Sequence, residues 1–240
     1  MNRDVAVLVT SHDDYADIWP IAGELFKRFW PDRQWPLYWM SNGAPVPLVA
    51  FAGVPLARVD RTQWGRNVAH AVELTAKPLI LLWVEEILLL SPVPNDVLLE
   101  AVEIMKTHPD IGIVGLTRYY VKRDEQATIG SFAHCREYGP AFTSAMPAIF
   151  RKDVLLHLLH TLPGPNDFEQ QSFRVMERDM PQVQSLIPAR PMFRFCDNAL
   201  VAGKWTRCAI EHIKEMGFEV DFEKRGIFPD ERRFMDGTPA

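Results

Sequence analysis

The sequence predicts an α/β fold, doubly wound, with a mostly parallel sheet between helices. Three observations predict it. Short apolar runs recur, each ending at polar residues, as at 5–10, 79–84 and 111–116; runs of this length suit buried strands. Stretches with apolar residues at helical spacing separate them, as in 15–30 and 97–106. Pro, Gly, Asn and Asp punctuate the boundaries. To residue 116 the order reads βαββαβαβ, the alternation of a doubly wound sheet.

The first strand, 5–10, leads into Ser11-His-Asp-Asp14, a polar segment suited to capping a helix. That helix spans 15–30, with Ile18, Trp19, Ala22, Leu25, Phe26 and Phe29 on one side, and Pro31 ends it. Strands follow at 36–40, turned by Ser41-Asn-Gly43, and at 54–59, ending at Asp60. A helix over 63–76 opens with Trp64-Gly-Arg-Asn67. The run 79–84 then stops at Glu85 and Glu86 before a second apolar run, 87–90. Two unpaired carboxylates inside a core would cost several kcal/mol each, as an order of magnitude. The chain is therefore expected to surface there, at the carboxyl end of a strand, where open α/β sheets bind ligands.

Asn95 is expected to cap a helix over 97–106, and 111–116 is a further strand. The second half is less regular: a hairpin over 119–129, a strand over 142–150, a helix over 153–162, a turn at 164–169 opening a helix to about Met176, an extended stretch over 185–195 and a helix over 206–216. We read one domain over 1–240, with a ligand-binding half (1–117), a second half (118–220) and a loose charged tail (221–240).

Composition limits the function. The net charge of −5 gives no reason to expect nucleic-acid binding. Cys135, Cys196 and Cys208 have no CxxC spacing, which suits free thiols in a reducing compartment. No HExxH occurs, and His157 and His160 read as surface or packing residues. No apolar run is long enough for a membrane span of about 18 residues. A cytoplasmic protein is expected, with room for peripheral membrane contact.

There is no GxGxxG after the first strand, no GxxxxGK[ST] and no GxSxG. Dinucleotide enzymes, P-loop NTPases and α/β-hydrolases are thereby disfavoured. Three polar clusters remain at strand ends or helix starts: Thr10-Ser11-His12-Asp13, Asp60 with Arg66 and Asn67, and Glu85-Glu86. Each has an ordinary reading, respectively a capping loop, a helix-surface arginine and solvated acids. Together, on a sheet of this order, they converge on one crevice. Paired carboxylates there suit Mg²⁺, which uses one or two of them plus substrate phosphates. Arg66 near a helix start suits a phosphate.

The chain resembles the GT-A-like bacterial glycosyltransferases of capsule and lipopolysaccharide synthesis. The resemblance runs from about Val5 to Arg174, and more weakly through Gly203-Lys-Trp-Thr-Arg207. It is carried by Ala16-Asp-Ile-Trp19, Trp30-Pro-Asp32, Trp64-Gly-Arg-Asn67, the Trp83-to-Val93 stretch with its acidic pair, and Met146-Pro-Ala-Ile-Phe-Arg-Lys152 followed by Asn166-Asp-Phe-Glu169. It implies a GT-A-like, Rossmann-like mixed sheet and a nucleotide-sugar donor. Thr10, Ser11 and Asp60 would face the nucleoside, with Asn67 also on the donor side and Arg66 on the diphosphate. Glu85 and Glu86 would replace the DxD motif, holding Mn²⁺ or Mg²⁺. Asp167 and Glu169 would face a glycan or lipid-linked acceptor, with Glu169 the preferred base and Asp167 its substitute. The chain departs from the family pattern in three places: Glu85-Glu86 is not a DxD, Asn166 stands where relatives often have Trp, and Pro165 near where they often have an acid. A sugar nucleotidyltransferase, a non-catalytic glycan- or nucleotide-binding protein and a glycosidase are the competing readings. The first would need a glycine-rich phosphate loop, which Thr10-Ser-His-Asp-Asp14 lacks. The last would need two carboxylates across one sugar, for which Glu86 and Glu169 are candidates.

Overall fold

A computed structural model describes residues 4–46, 52–55, 63–117, 122–137, 147–196 and 198–229. The strands are β1 (Val5–Thr10), β2 (Leu37–Ser41), β3 (Ala52–Pro55), β4 (Leu79–Val84), β5 (Leu88–Leu89), β6 (Ile111–Gly115), β7 (Lys122–Ile129), β8 (Phe132–Glu137), β9 (Ala148–Arg151), β10 (Gln184–Pro188), β11 (Phe195–Cys196), β12 (Leu200–Val201) and β13 (Lys204–Trp205). The helices are α1 (Trp19–Phe29), α2 (Trp64–Leu74), α3 (Asn95–Thr107), α4 (Lys152–Thr161), α5 (Pro165–Asp179) and α6 (Arg207–Glu215).

Among the described residues, nine strands form one sheet in the order β3-β2-β1-β4-β9-β6-β10-β8-β7. β3, β2, β1 and β4 run parallel, β6 and β10 run parallel, and β9 lies antiparallel between β4 and β6. The β7–β8 hairpin closes one edge, antiparallel to β10. This is the mixed, mostly parallel sheet that the resemblance implies. Each face of the sheet is buried. Val5, Val7 and Val9 of β1 point into one core with Trp19, Phe26, Trp39 and Trp83, while Ala6 and Leu8 point into another with residues of α2, α4 and α5. Burial on both faces explains why β1 and β4 read as unbroken apolar runs.

Several boundaries differ from expectation for physical reasons. The first helix starts at Trp19, because Pro20 is tolerated in the first turn and not within a helix. The polar segment before it forms a separate 3-10 turn, Asp13–Tyr15, whose cap is His12. Asn95 does not cap α3; that place falls to Pro94. The Asn95 side chain instead accepts from Trp30 Nε1 at 2.7 Å and donates to the Asp32 carbonyl, tying α3 to the end of α1. The expected hairpin over 119–129 is a single strand, β7, which turns at Gly130, with φ of 56°, into β8. Residues 221–229, assigned by sequence to a loose tail, pack onto the body: the Phe222 ring meets Trp205 edge-on at 5.5 Å, and Phe228 N–H donates to the Trp205 carbonyl. None of the three cysteines forms a disulfide, and burial pushes the Cys135 thiol up to about 12. No described helix is long and apolar enough to cross a membrane.

Candidate active site

The carboxyl ends of β1, β2 and β4 open into a cavity of about 440 Å³, a size typical of small-ligand sites. Parallel strands bring it about. In phase, β1 and β4 pair Thr10 with Val84, so the residues just beyond both strand ends emerge side by side. Thr10, Ser11, Glu85 and Glu86 therefore share the wall. Helices α2 and α5 close the opposite side with Trp64, Asn67, Pro165 and Glu169. Residues from four stretches separated in sequence thus line one cavity.

Glu85 and Glu86 differ in environment. Glu86 is half-buried, whereas Glu85 is only 5% exposed, against the expectation that the chain surfaces at both. Glu85 tolerates burial because Ser11 hydrogen-bonds its carboxyl, while its N–H donates to the Thr10 carbonyl. Ser11 Oγ also accepts from Trp19 Nε1 at 2.6 Å, which anchors it to the core. Burial, and then the charge of Glu86, push the Glu85 carboxyl well above its ordinary range; its own backbone N–H, the Ser11 bond and the Arg225 charge only partly oppose this. Thr10 is likewise turned inward, its hydroxyl donating to the Trp83 carbonyl at 3.2 Å.

Arg225, from the segment expected to be a loose tail, reaches the same cavity. Its Nε donates to Asp17 at 2.7 Å, Nη2 also contacts Asp17 and the Asp14 carbonyl, and Nη1 donates to the Gly203 carbonyl at 3.2 Å. The guanidinium lies 5.0 Å from the Tyr15 ring centroid. Tyr15 is in turn within electrostatic reach of both glutamates: burial, then Glu86 and Glu85, push its hydroxyl above the usual value.

The remaining candidates are placed differently. Arg66 is exposed, donates to Gln63 Oε1 at 3.0 Å and is not among the cavity walls. Asp167 is also outside them, accepting from Gln171 Nε2 at 3.3 Å. Asp60 lies outside the described residues. Sequence reading missed Arg225 and Tyr15, which no motif marks. Trp64 lay within a quoted motif but was given no role.

Gly65 explains how α2 and α5 come together. A Cβ there would sit 2.5 Å from both the Leu159 and Leu162 carbonyl oxygens, so only glycine allows α2 to seat against the end of α4. The Gly65 N–H donates to the Pro163 carbonyl, just before α5 begins. Trp64 then meets Phe168 of α5 edge-on, with ring centroids 5.4 Å apart.

The cavity walls carry Asp14, Glu85, Glu86 and Glu169 against Arg225, which is already paired with Asp17. Among the described residues, no group of three or more His, Cys, Asp or Glu side chains could hold a metal. The donor set nevertheless suits Mg²⁺ or Mn²⁺ shared with phosphate, since that arrangement asks the protein for only one or two carboxylates. The disfavoured charge on Glu85 is what such a cation would relieve.

The sequence matches no protein-family model and no curated protein. Solved structures share its fold at low identity. The UTP-bound UGPase from Acinetobacter baumannii is 9% identical, with a TM-score of 0.55 over 89% of this chain and 93% of that one. The S. aureus TarS 1-349 structure is 10% identical, with a TM-score of 0.48 over 80% of this chain and 59% of that one. The mannosyltransferase PcManGT from Pyrobaculum calidifontis, solved with GDP-Man and Mn2+, is 15% identical, with a TM-score of 0.46 over 78% of this chain and 55% of that one. The chain thus spans under two thirds of the latter two. At 9% identity the likeness to the UGPase is one of fold alone.

Proposed function

We propose that this protein is a glycosyltransferase, moving a sugar from a nucleotide-sugar donor to a hydroxyl of a glycan or lipid-linked acceptor in bacterial surface-polysaccharide synthesis. We place it in the cytoplasm, at the inner face of the membrane. One observation carries the reading: Glu86, beyond β4, and Glu169, on α5, line a single cavity at the carboxyl ends of parallel strands.

Glycosyl transfer needs two things of such a cavity. As the donor C1–O bond breaks, C1 gains positive character and the diphosphate leaves with negative charge, which must be compensated. Arg225 supplies a fixed positive charge, pre-positioned by Asp17 and two carbonyls. Glu86 and Glu85 would hold Mg²⁺ or Mn²⁺; when bound, the ion supplies further charge compensation to the diphosphate. The acceptor hydroxyl is a poor nucleophile at neutral pH, so a positioned carboxylate takes its proton. Glu169 fills that role better than Asp167, which is not part of the cavity wall. Thr10 and Ser11 shape the floor through their inward hydrogen bonds.

The test is turnover with UDP-, GDP-, CMP- and dTDP-sugars, following nucleotide release and sugar transfer to added glycans. Nucleotide release that requires acceptor, and is lost in both Glu86→Gln and Glu169→Gln, supports the proposal. Pyrophosphate formation from a nucleoside triphosphate and a sugar phosphate would replace it with a nucleotidyltransferase. Free sugar released from a glycan without nucleotide would replace it with a glycosidase, and binding without any turnover with a non-catalytic binder.

A further inference from the structure

We infer that His12 is a positioning residue: its uncharged imidazole caps the turn between β1 and α1, that turn holds Asn42 and Arg225 in place, and the cavity therefore binds its nucleotide best while His12 is neutral. This rests on the glycosyltransferase reading for the ligand and adds to it a dependence on pH.

The central observation is the direction of one hydrogen bond. The Asp14 N–H donates to His12 Nδ1 at 3.1 Å, so the imidazole caps the Asp13–Tyr15 turn. Caps are usually Ser, Thr, Asn or Asp, whose side-chain oxygens accept this bond. A ring nitrogen accepts only while it lacks a proton, so the capping ring is neutral and carries its hydrogen on Nε2. Histidine is the side chain whose ordinary charge change falls between pH 5 and 8. His12 lines the cavity with a side chain 30% exposed, open to that second proton.

The capped turn holds much of one cavity wall. The Asp13 carboxylate accepts from the Asn42 N–H at 2.7 Å and the Ala44 N–H at 3.0 Å, and the Asp13 N–H donates to Asn42 Oδ1 at 3.4 Å. This ties the end of β2 to the end of β1 and seats Asn42 on the wall. The Asp14 carbonyl accepts from Arg225 Nη2, and the Tyr15 ring lies 5.0 Å from the same guanidinium. No residue of the turn is fully buried, so polar contacts hold it more than packing does.

The charges around the ring define the alternative state. On its own turn, the Asp14 carboxylate lies 3.8 Å from Nδ1, and Asp13 is next in the chain. Across the cavity stand Glu85, Glu86 and Glu169, with Tyr15, and Arg225 is the opposing cation among the described residues. A protonated Nδ1 must donate, and the nearby Asp14 carboxylate is its natural acceptor. The Asp14 N–H then loses its cap, and the holds on Asn42 and Arg225 loosen together.

The test compares the wild type with His12→Asn, which can cap without titrating, and His12→Ala, which cannot cap. UDP, GDP, CDP and dTDP are titrated calorimetrically at pH 8 and pH 5.5 in metal-free buffer, so that the diphosphate's own titration is common to all three proteins. We expect wild-type affinity, relative to His12→Asn, to fall about threefold to tenfold at pH 5.5, the scale of one lost cap. His12→Ala should bind more weakly than His12→Asn at both values. Nitrogen-15 NMR of the wild type supplies a readout that needs no ligand and no variant: the Asp14 amide should shift in step with protonation of the His12 ring. An Asp14 amide that titrates with His12, but no diphosphate binding to any protein, keeps the device and removes the donor-site reading. An Asp14 amide indifferent to the His12 ring overturns the inference. So does wild-type binding that holds or strengthens at pH 5.5 relative to His12→Asn, because a charged His12 would then touch the phosphates itself.

Discussion

Arg225 and Asp17 join the last described segment of the chain to the turn that leads into α1. The Arg225 Nε donates to Asp17 Oδ2 at 2.7 Å, and both Asp17 carboxylate oxygens are engaged. Burial works against the Asp17 charge, but the Arg225 hydrogen bond and charge outweigh it and hold the carboxyl below its ordinary range. The pair fixes a guanidinium at the cavity wall. We therefore expect Arg225→Gln to weaken binding of a nucleoside diphosphate by about tenfold to a hundredfold, the scale of a charge-assisted hydrogen bond. Binding of the uncharged nucleoside should change little. Calorimetric titration of both ligands checks this, and equal losses would assign Arg225 a merely structural role.

Glu85 gives a pH signature. Its folded-state carboxyl is raised well above the ordinary value, by burial first and the Glu86 charge second. The folded state therefore holds this proton at pH values where the unfolded chain has released it. The associated stability is complete below the unfolded value, near 4.3, and is lost as pH rises towards the folded value. In metal-free buffer, Glu85→Gln should match the wild type in stability trend below about pH 4 and gain on it above, by about 1.4 kcal/mol per pH unit until the raised value is passed. Urea melts across pH would reveal this; parallel curves would mean that Glu85 is charged in the fold.

Gly65 is the contact on which the α2–α5 side depends. Because a Cβ would press on two backbone carbonyls at 2.5 Å, relief requires helix movement and not a side-chain rotation. Gly65→Ala should cost about 1–3 kcal/mol, lowering the melting temperature by several degrees, about 2–4 °C for each kcal/mol in a chain of this size. Thermal unfolding followed by circular dichroism measures it. An unchanged or higher melting temperature would show that α2 has room to shift.

The two carboxylates of the α5 start should separate kinetically. If Glu169 takes the acceptor proton, Glu169→Gln lowers kcat by about 10²–10⁴ with the donor KM little changed. Asp167→Asn should stay within a few-fold of wild type, since its side chain bonds Gln171 and lies outside the wall. Steady-state kinetics of both variants decide it, and the reverse ranking would transfer the base to Asp167.

The parallel half of the sheet was legible because each of its strands ends where apolar side chains give way to polar ones, as Val84 does to Glu85. The same feature brought Thr10, Ser11, Glu85 and Glu86 to one place before any coordinates. What sequence could not supply was depth. Nothing local distinguishes Glu85 from Glu86, yet both line the cavity and only Glu85 is buried, with Ser11, itself held by Trp19, on its carboxyl. Arg66 looked suited to a phosphate from its position near a helix start, yet it lies on the exposed side of α2. Arg225 was hidden for the opposite reason. A charged, turn-rich terminal segment reads as loose, and its attachment through Trp205, Gly203 and Asp17 is wholly long-range.

The most direct measurement is calorimetric titration of UDP, GDP, CDP and dTDP into the wild type, Glu86→Gln and Arg225→Gln, each with and without Mn²⁺. We expect one diphosphate to bind at a single site, more tightly with Mn²⁺. Glu86→Gln should remove the gain from the metal, and Arg225→Gln should weaken binding in both conditions. Absence of binding by every diphosphate, or binding untouched by both substitutions, would contradict a donor site in this cavity.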